Sequence, residues 1–199
     1  MDSKEIYNNY TVKNKSELQH ILKKENRLYR DYMFKSLPMY LLGKLKNENV
    51  IQIMKWQRLS RICDYHDYCY HKLGLKFHYL IYLWYLRRRN NLGNRIGLEM
   101  STTFIGSGLV IYHFNNVING NAIIGENCHI HGTVVIGNKG DGYQGCPVIG
   151  NNVMIGAGAR IIGDVFIADN IKIAAGAVVV NSFYEKGITI GGIPAHKLK

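Results

Sequence analysis

The chain has 199 residues and a formal net charge of +11 at pH 7, long enough for one or two small domains with a real core. Residues 1–97 carry 19 Lys and Arg against 8 Asp and Glu, whereas residues 98–199 carry 6 of each, so the whole excess lies in the first half. No apolar run is long enough to span a bilayer, no charged-then-apolar leader is present, and four cysteines sit at no framework spacing; these features speak against a membrane-spanning or disulfide-built protein and for reduced thiols in the cytoplasm.

Residues 1–97 read as a basic α-helical region, with glycine nearly absent before Gly74. Ser16 and Glu17 look like a capped start for the apolar pattern Leu18, Ile21, Leu22. A second helix is predicted over 37–46, with Pro38 placed in its first turn, a third over 49–72 and a fourth over 76–89. Gly93 and Gly97 then punctuate the way out of the helices. Cys63, His66, Cys69 and His71 invite a metal check, but spacings of three, three and two within one helix cannot all face one point, so no metal is expected. The stretch 79–86 is the most apolar of this half and ends in Arg87, Arg88 and Arg89. It fits a buried helix covering the end of the following domain, or a helix lying on an anionic membrane surface. No nucleic-acid motif accompanies the charge, so nucleic acid is not the expected partner.

From residue 98 a different clock runs. Ile149, Ile155, Ile161, Ile167, Ile173 and Val179 are each six apart, and so are Ile118, Ile124, Ile130 and Ile136. A one-residue slip leads back to Ile111 and Ile105, and a seven-residue excess within 138–147 separates the two series. Neither the helical nor the strand period explains six, so the pattern is a solenoid whose repeats must stack to bury their apolar residues. Three hexapeptides make one coil of a triangular prism. Isoleucine points to the axis, the next residue, often glycine, turns the corner, and a small residue such as Cys128, Val134 or Ala159 fits inside it. The expected fold is therefore mainly β, a parallel β-helix over 98–199 with an inserted loop at 138–147, behind the α-helical region 1–97.

Three pieces, Ile-Tyr-His at 111–113, the run 148–159 and Gly-Ile-Pro-Ala at 192–195, resemble the hexapeptide-repeat acyltransferases. Within them the chain is most similar to serine acetyltransferases and to enzymes that O-acetylate sugars and surface polysaccharides. The resemblance implies a left-handed coil, an acetyl-CoA co-substrate without a metal, and a homotrimer or multiple of three with sites between subunits.

O-acetyl transfer needs a base near the acceptor hydroxyl, and histidine suits it. The resemblance gives that role to His113. It would take its orienting carboxylate from an Asp fifteen residues earlier, but that position is Leu98; the adjacent Glu99 is the candidate in its place. His131, about one coil further on, and the aromatic Tyr112 and Tyr143 are candidate acceptor ligands; His129 is expected to be solvated. Small residues, Gly156, Ala157, Ala174 and Ala175, would admit the pantetheine arm, and the basic His196, Lys197 and Lys199 would meet the nucleotide phosphates. Cys146 in the loop is the rival nucleophile, but direct transfer is expected. Serine acetyltransferases grip their amino acid with an Arg-His pair near the end of this loop; Gly145 and Cys146 stand there, which favours a sugar hydroxyl over L-serine. A catalytically silent scaffold is the non-enzymatic alternative.

Overall fold

The computed structural model describes residues 11–34, 36–140 and 145–198. Helix α1 (Lys15–Met33) starts two residues earlier than a cap at Ser16 would place it. Its cap is Asn14, whose side-chain oxygen accepts from the Glu17 amide at 2.9 Å while Glu17 accepts from the Lys13 amide at 2.8 Å. The first bond satisfies an amide that the first turn leaves open, and the second holds the residue before the cap against the helix start. Helix α2 (Leu37–Lys46) has Ser36 as its cap and Pro38 in its first turn, and α3 (Asn49–His71) follows after Asn47 in the left-handed conformation. Helix α4 (Phe77–Ile96) runs a further seven residues beyond the expected end and stops at Gly97, with φ +64°. Gly93 does not break it. A Cβ there would sit 2.6 Å from the Leu98 carbonyl oxygen and 3.0 Å from Nε1 of Trp56, so the glycine permits a close crossing.

Cys63, His66, Cys69 and His71 share α3 but face different surroundings. Burial pushes the Cys63 thiol up to about 12, His66 pairs with His78 of α4 (Nδ1 to Nδ1, 2.9 Å), and His71 pairs with Asp67.

The remaining chain winds through three faces in turn. One face is the sheet of β1 (Leu98–Glu99), β3 (Asn116–Ile118), β6 (Val135–Gly137), β9 (Arg160–Ile162) and β12 (Val178–Val179). The second holds β4 (Ile123–Ile124), β7 (Val148–Ile149) and β10 (Phe166–Ile167). The third holds β2 (Val110–Ile111), β5 (His129–Ile130), β8 (Met154–Ile155), β11 (Lys172–Ile173) and β13 (Thr189–Gly192), with β14 (Ala195–Lys197) added antiparallel at its edge. Every other pairing is parallel, and the isoleucines stack on one another along the axis, fully buried. Cys128, Val134, Val153, Ala159, Val165 and Ala177 fill the inner corners as expected.

The corner chemistry differs from the sequence reading. Glycines after isoleucine, such as Gly125, Gly150 and Gly156, do not supply the left-handed turn. That conformation falls two residues later, at Asn127, Asn152, Gly158, Asn170 and Gly176. The first glycine is needed for proximity instead: a Cβ on Gly156 would lie 2.5 Å from the Ala175 amide nitrogen of the next coil. Asparagine tolerates the left-handed region through its short polar side chain, which is why it occupies so many corners.

Register locates the two irregularities. Ile118 pairs with Ile136 eighteen residues on, but Ile111 pairs with Ile130 nineteen residues on. The extra residue therefore lies in the corner between β2 and β3, the one that carries His113. Ile136 pairs with Ile161, so the seven extra residues leave the prism between β6 and β7.

The open end of the prism is closed by α1 and α3. The aromatic stretch of α4 does not close it: Gly93 and Ile96 are the buried residues of that helix. Tyr29, Ile53 and Trp56 join the prism core. Tyr29 donates to Gln57 Oε1 and accepts the Ile111 amide, and Gln57 Nε2 donates to the Leu109 carbonyl. Arg61, fully buried, donates to the carbonyls of Thr102, Ile105 and Gly106 and pairs with Glu25 at 2.7 Å. A β-helix end exposes carbonyls with no next coil to pair them, and one guanidinium with five donors satisfies three of them at once. Asp64 accepts from Thr102 and Thr103 beside it; burial lifts its carboxyl to about 6 against the pull of Arg61.

Candidate active site

His113 projects from the corner after β2, exposed to solvent. The corner directly below it, after β5, contains Gly132, where a Cβ would come within 2.8 Å of the His113 Cβ. Glycine thus makes room for the histidine. Asn116, buried, ties the same corner down: its Nδ2 donates to the His113 carbonyl and its Oδ1 accepts the Val134 amide, both at 2.9 Å.

Around His113 stands a row of rings. Tyr112 stacks on His131 with centroids 4.5 Å apart and planes 5° apart, and His113 and His131 have centroids 6.4 Å apart. The Tyr112 hydroxyl hydrogen-bonds Nδ1 of His129 at 2.9 Å, and Tyr32 at the end of α1 meets His129 edge-on at 5.1 Å. Burial, and then the neighbouring His113, lower the pKa of His131; burial, and then His131, lower that of His129. Both rings are thereby held toward the neutral form next to the candidate base. His129 is half-buried and bonded, not merely solvated. It lies two residues from His131, so the strand period sends both rings outward on one face. That alternation was visible in the sequence; Tyr32, nearly a hundred residues away, carried no signal.

The same edge continues downwards without rings. Below His113 and Gly132 come Ala157 and Ala175, both exposed, with Gly156 and Ala174 beside them. The corners are joined coil to coil by Gly158 donating to the Gly132 carbonyl at 2.9 Å and Gly176 donating to the Ala157 carbonyl at 2.8 Å. All four small residues singled out for the donor thus share one edge with His113. The hairpin of β13 and β14 closes the bottom, with Gly191 packed on Ala174 and Leu198. His196 is exposed on it; Lys197 is held by Glu185 at 2.7 Å.

Two expected partners are not brought to this edge. Among the described residues no hydrogen bond or ion pair joins Glu99 to His113. Glu99 faces outward from β1, in register with Val117, and lines a groove of about 680 Å³ with Asn119, Asn138 and Arg89. The pleat places it on a prism face, while His113 sits at a corner of that face. The loop, too, leaves from the opposite edge of this face. Of its described residues, Gly145 has no side chain and Cys146 is buried, its thiol pushed up by burial and then by Asp164. Tyr143 and Lys199 lie outside the described residues. Among those described, no group of three or more His, Cys, Asp and Glu is arranged to hold a metal.

No protein-family model matches the chain. Over 88 residues it is 41% identical to a protein of Escherichia coli K12 named colanic acid biosynthesis acetyltransferase WcaB, covering 44% of this chain and 54% of that one. It is 32% identical over 130 residues to the serine acetyltransferase of Buchnera aphidicola subsp. Schizaphis graminum, 59% of this chain and 49% of the relative. Its relatives are acetyltransferases. The crystal structure of Neisseria gonorrhoeae serine acetyltransferase in complex with serine matches with a TM-score of 0.67 at 26% identity, covering 93% of this chain and 70% of that one. The likeness to hexapeptide-repeat acyltransferases read from the motifs is therefore shared by sequence and by fold. The chain spans about half the length of the curated relatives it matches.

Proposed function

We propose that this chain is an acetyl-CoA-dependent O-acetyltransferase with His113 as general base. One prism edge carries this conclusion: His113 and the bare corners at Gly156, Ala157, Ala174 and Ala175 lie on a single line, so a thioester laid along the corners ends at the imidazole. The acceptor hydroxyl oxygen attacks the thioester carbonyl carbon while His113 takes the hydroxyl proton. The carbon–sulfur bond breaks, and the CoA sulfur leaves with that proton. Transfer is direct, since Cys146 is buried with a raised thiol pKa and is a poor nucleophile. In this proposal His196 and Lys197 meet the nucleotide phosphates, Lys197 by exchanging its partner Glu185.

The coil is left-handed in this proposal and the assembly is a trimer or a multiple of three. The described ends of the loop at 138–147 leave from the edge of one face opposite the His113 corner. A neighbouring prism is the proposed route by which a loop and a His113 corner meet. The same contact would present the groove of Glu99 to a neighbour's His113. The location is cytoplasmic, consistent with four unpaired cysteines, with a peripheral membrane contact developed below.

The acceptor is a sugar hydroxyl of a surface polysaccharide or its precursor. Support comes from the loop end, which offers no charged side chain at Gly145 and Cys146 to an amino acid's carboxylate and amine, and from WcaB, named for colanic acid biosynthesis. L-serine is the second reading, favoured by the structural likeness to the Neisseria enzyme in complex with serine. Acetyl-CoA consumption is to be followed with L-serine and with a panel of sugars and oligosaccharides. Saturable turnover of a sugar with none of L-serine is expected; efficient turnover of L-serine alone would replace the sugar reading with the second.

A further inference from the structure

The end of the α3–α4 hairpin takes no part in the site and is unexplained by it. Helix α4 packs along α3 and meets the prism chiefly through β1, near Ile96. At 1.5 Å per residue its first turn lies about 30 Å from that contact. The far end exposes apolar side chains on one helical face: Phe77 is 72% exposed, Leu80 65% and Trp84 53%. Leu73 and Leu75 of the preceding turn are exposed as well.

The charge around this face is of one sign. Between Asp67 and Glu99 the chain has no acidic residue and six basic ones, Lys72, Lys76, Arg87, Arg88, Arg89 and Arg95. Among the described residues, none of Lys76, Arg87 and Arg88 has a carboxylate partner. The Arg88 guanidinium lies 4.6 Å over the Trp84 ring, so the apolar face and the basic rim are one surface. No described helix is long and apolar enough to cross a membrane.

We propose that this hairpin end docks onto an anionic lipid surface, with Phe77, Leu80 and Trp84 entering the headgroup boundary and the basic rim pairing with anionic headgroups. An amphipathic surface of aromatic and leucine side chains edged by Lys and Arg has the chemistry for that boundary. A second copy of the chain is the poorer occupant, because a symmetric contact would bring the basic rim against itself with no acid to relieve it. A nucleic acid would meet the charge but leave the apolar face in water. Docking here would hold the catalytic edge near acceptors carried on lipid, yet the inference does not depend on the acetyl-transfer reading.

The test is flotation of the full chain with vesicles of phosphatidylcholine alone and of phosphatidylcholine with phosphatidylglycerol. Binding is expected only to the anionic vesicles, fading with salt, with a blue shift from Trp84 while the buried Trp56 stays as it is. Arg87→Gln and Arg88→Gln should each weaken binding about fivefold, and Leu80→Ser with Trp84→Ser should abolish it. Circular dichroism and acetyl-CoA turnover without vesicles should stay at the parent level. Equal recovery in the supernatant with both vesicles overturns the inference. So does a change of molar mass by light scattering in the Leu80→Ser, Trp84→Ser variant, which would make the face a subunit contact. Preferential retention of a DNA oligonucleotide over anionic vesicles overturns it too.

Discussion

The prism edge beside His113 changes character half-way along. In the two coils nearest the helices it carries rings: Tyr112 stacked on His131, His129 bonded to Tyr112, and Tyr32 set against His129. In the next two coils it carries Gly156, Ala157, Ala174 and Ala175 and almost no side-chain volume. The interior does not register the change, since Ile111, Ile130, Ile155 and Ile173 stack in register and buried along both halves. The repeat thus separates two tasks. Inward positions specify the scaffold, and outward positions are free to be crowded at one end and bare at the other.

The largest expected effect breaks the crowded half. His113→Ala should lower kcat by about 10²–10⁴-fold, with the KM for acetyl-CoA and the thermal midpoint close to the parent values. Steady-state kinetics on the preferred acceptor checks this, and parental turnover would move the base elsewhere. A subtler disturbance of the same half is Gly132→Ala. Gly132 is outside the left-handed region, so alanine suits its backbone, but the new methyl would lie 2.8 Å from the His113 Cβ. Displacing the imidazole should cost roughly 10–100-fold in kcat, with a stability loss of about 1 kcal/mol by denaturant titration. If stability falls while kcat holds, the position of His113 is not critical.

The bare half should respond in the other kinetic constant. Ala157 and Ala175 are exposed, so leucine at both should fold normally. The double variant should raise the KM for acetyl-CoA about tenfold, equivalent to about 1.4 kcal/mol of lost donor binding, and leave kcat at saturation unchanged. Binding of CoA by calorimetry gives the same answer without an acceptor. An unchanged affinity would separate the donor from this edge and leave the two halves with no division of labour.

Local signals placed much of the scaffold correctly. Pro38 marks the first turn of α2, and the six-residue spacing of isoleucines and a valine places β2 to β12. The sequence reading misassigned the glycines because a period shows which positions are alike and not why: Gly125, Gly150 and Gly156 answer to the coil below, while the turn itself is carried by Asn127, Asn152 and Gly158. Helix α4 was underestimated at its C-terminal end because Gly93 reads as a breaker, whereas Trp56 and Leu98 crossing close by make it a spacer.

By itself, then, the sequence determined the repeat, its two irregularities and the split of charge between the halves. These depend on spacing and composition along the chain, which a linear reading carries completely, whereas His113 was singled out by the resemblance of its motif to a known family. Only the tertiary structure decided that α1 and α3 close the prism through Arg61 and Tyr29, that Tyr32 and His129 join the ring cluster, and that Glu99 and the described ends of the loop lie away from the His113 corner. Those outcomes depend on which coil meets which helix and on which side of a pleat a side chain emerges. Such contacts join residues tens of positions apart, and nothing in the local pattern encodes them.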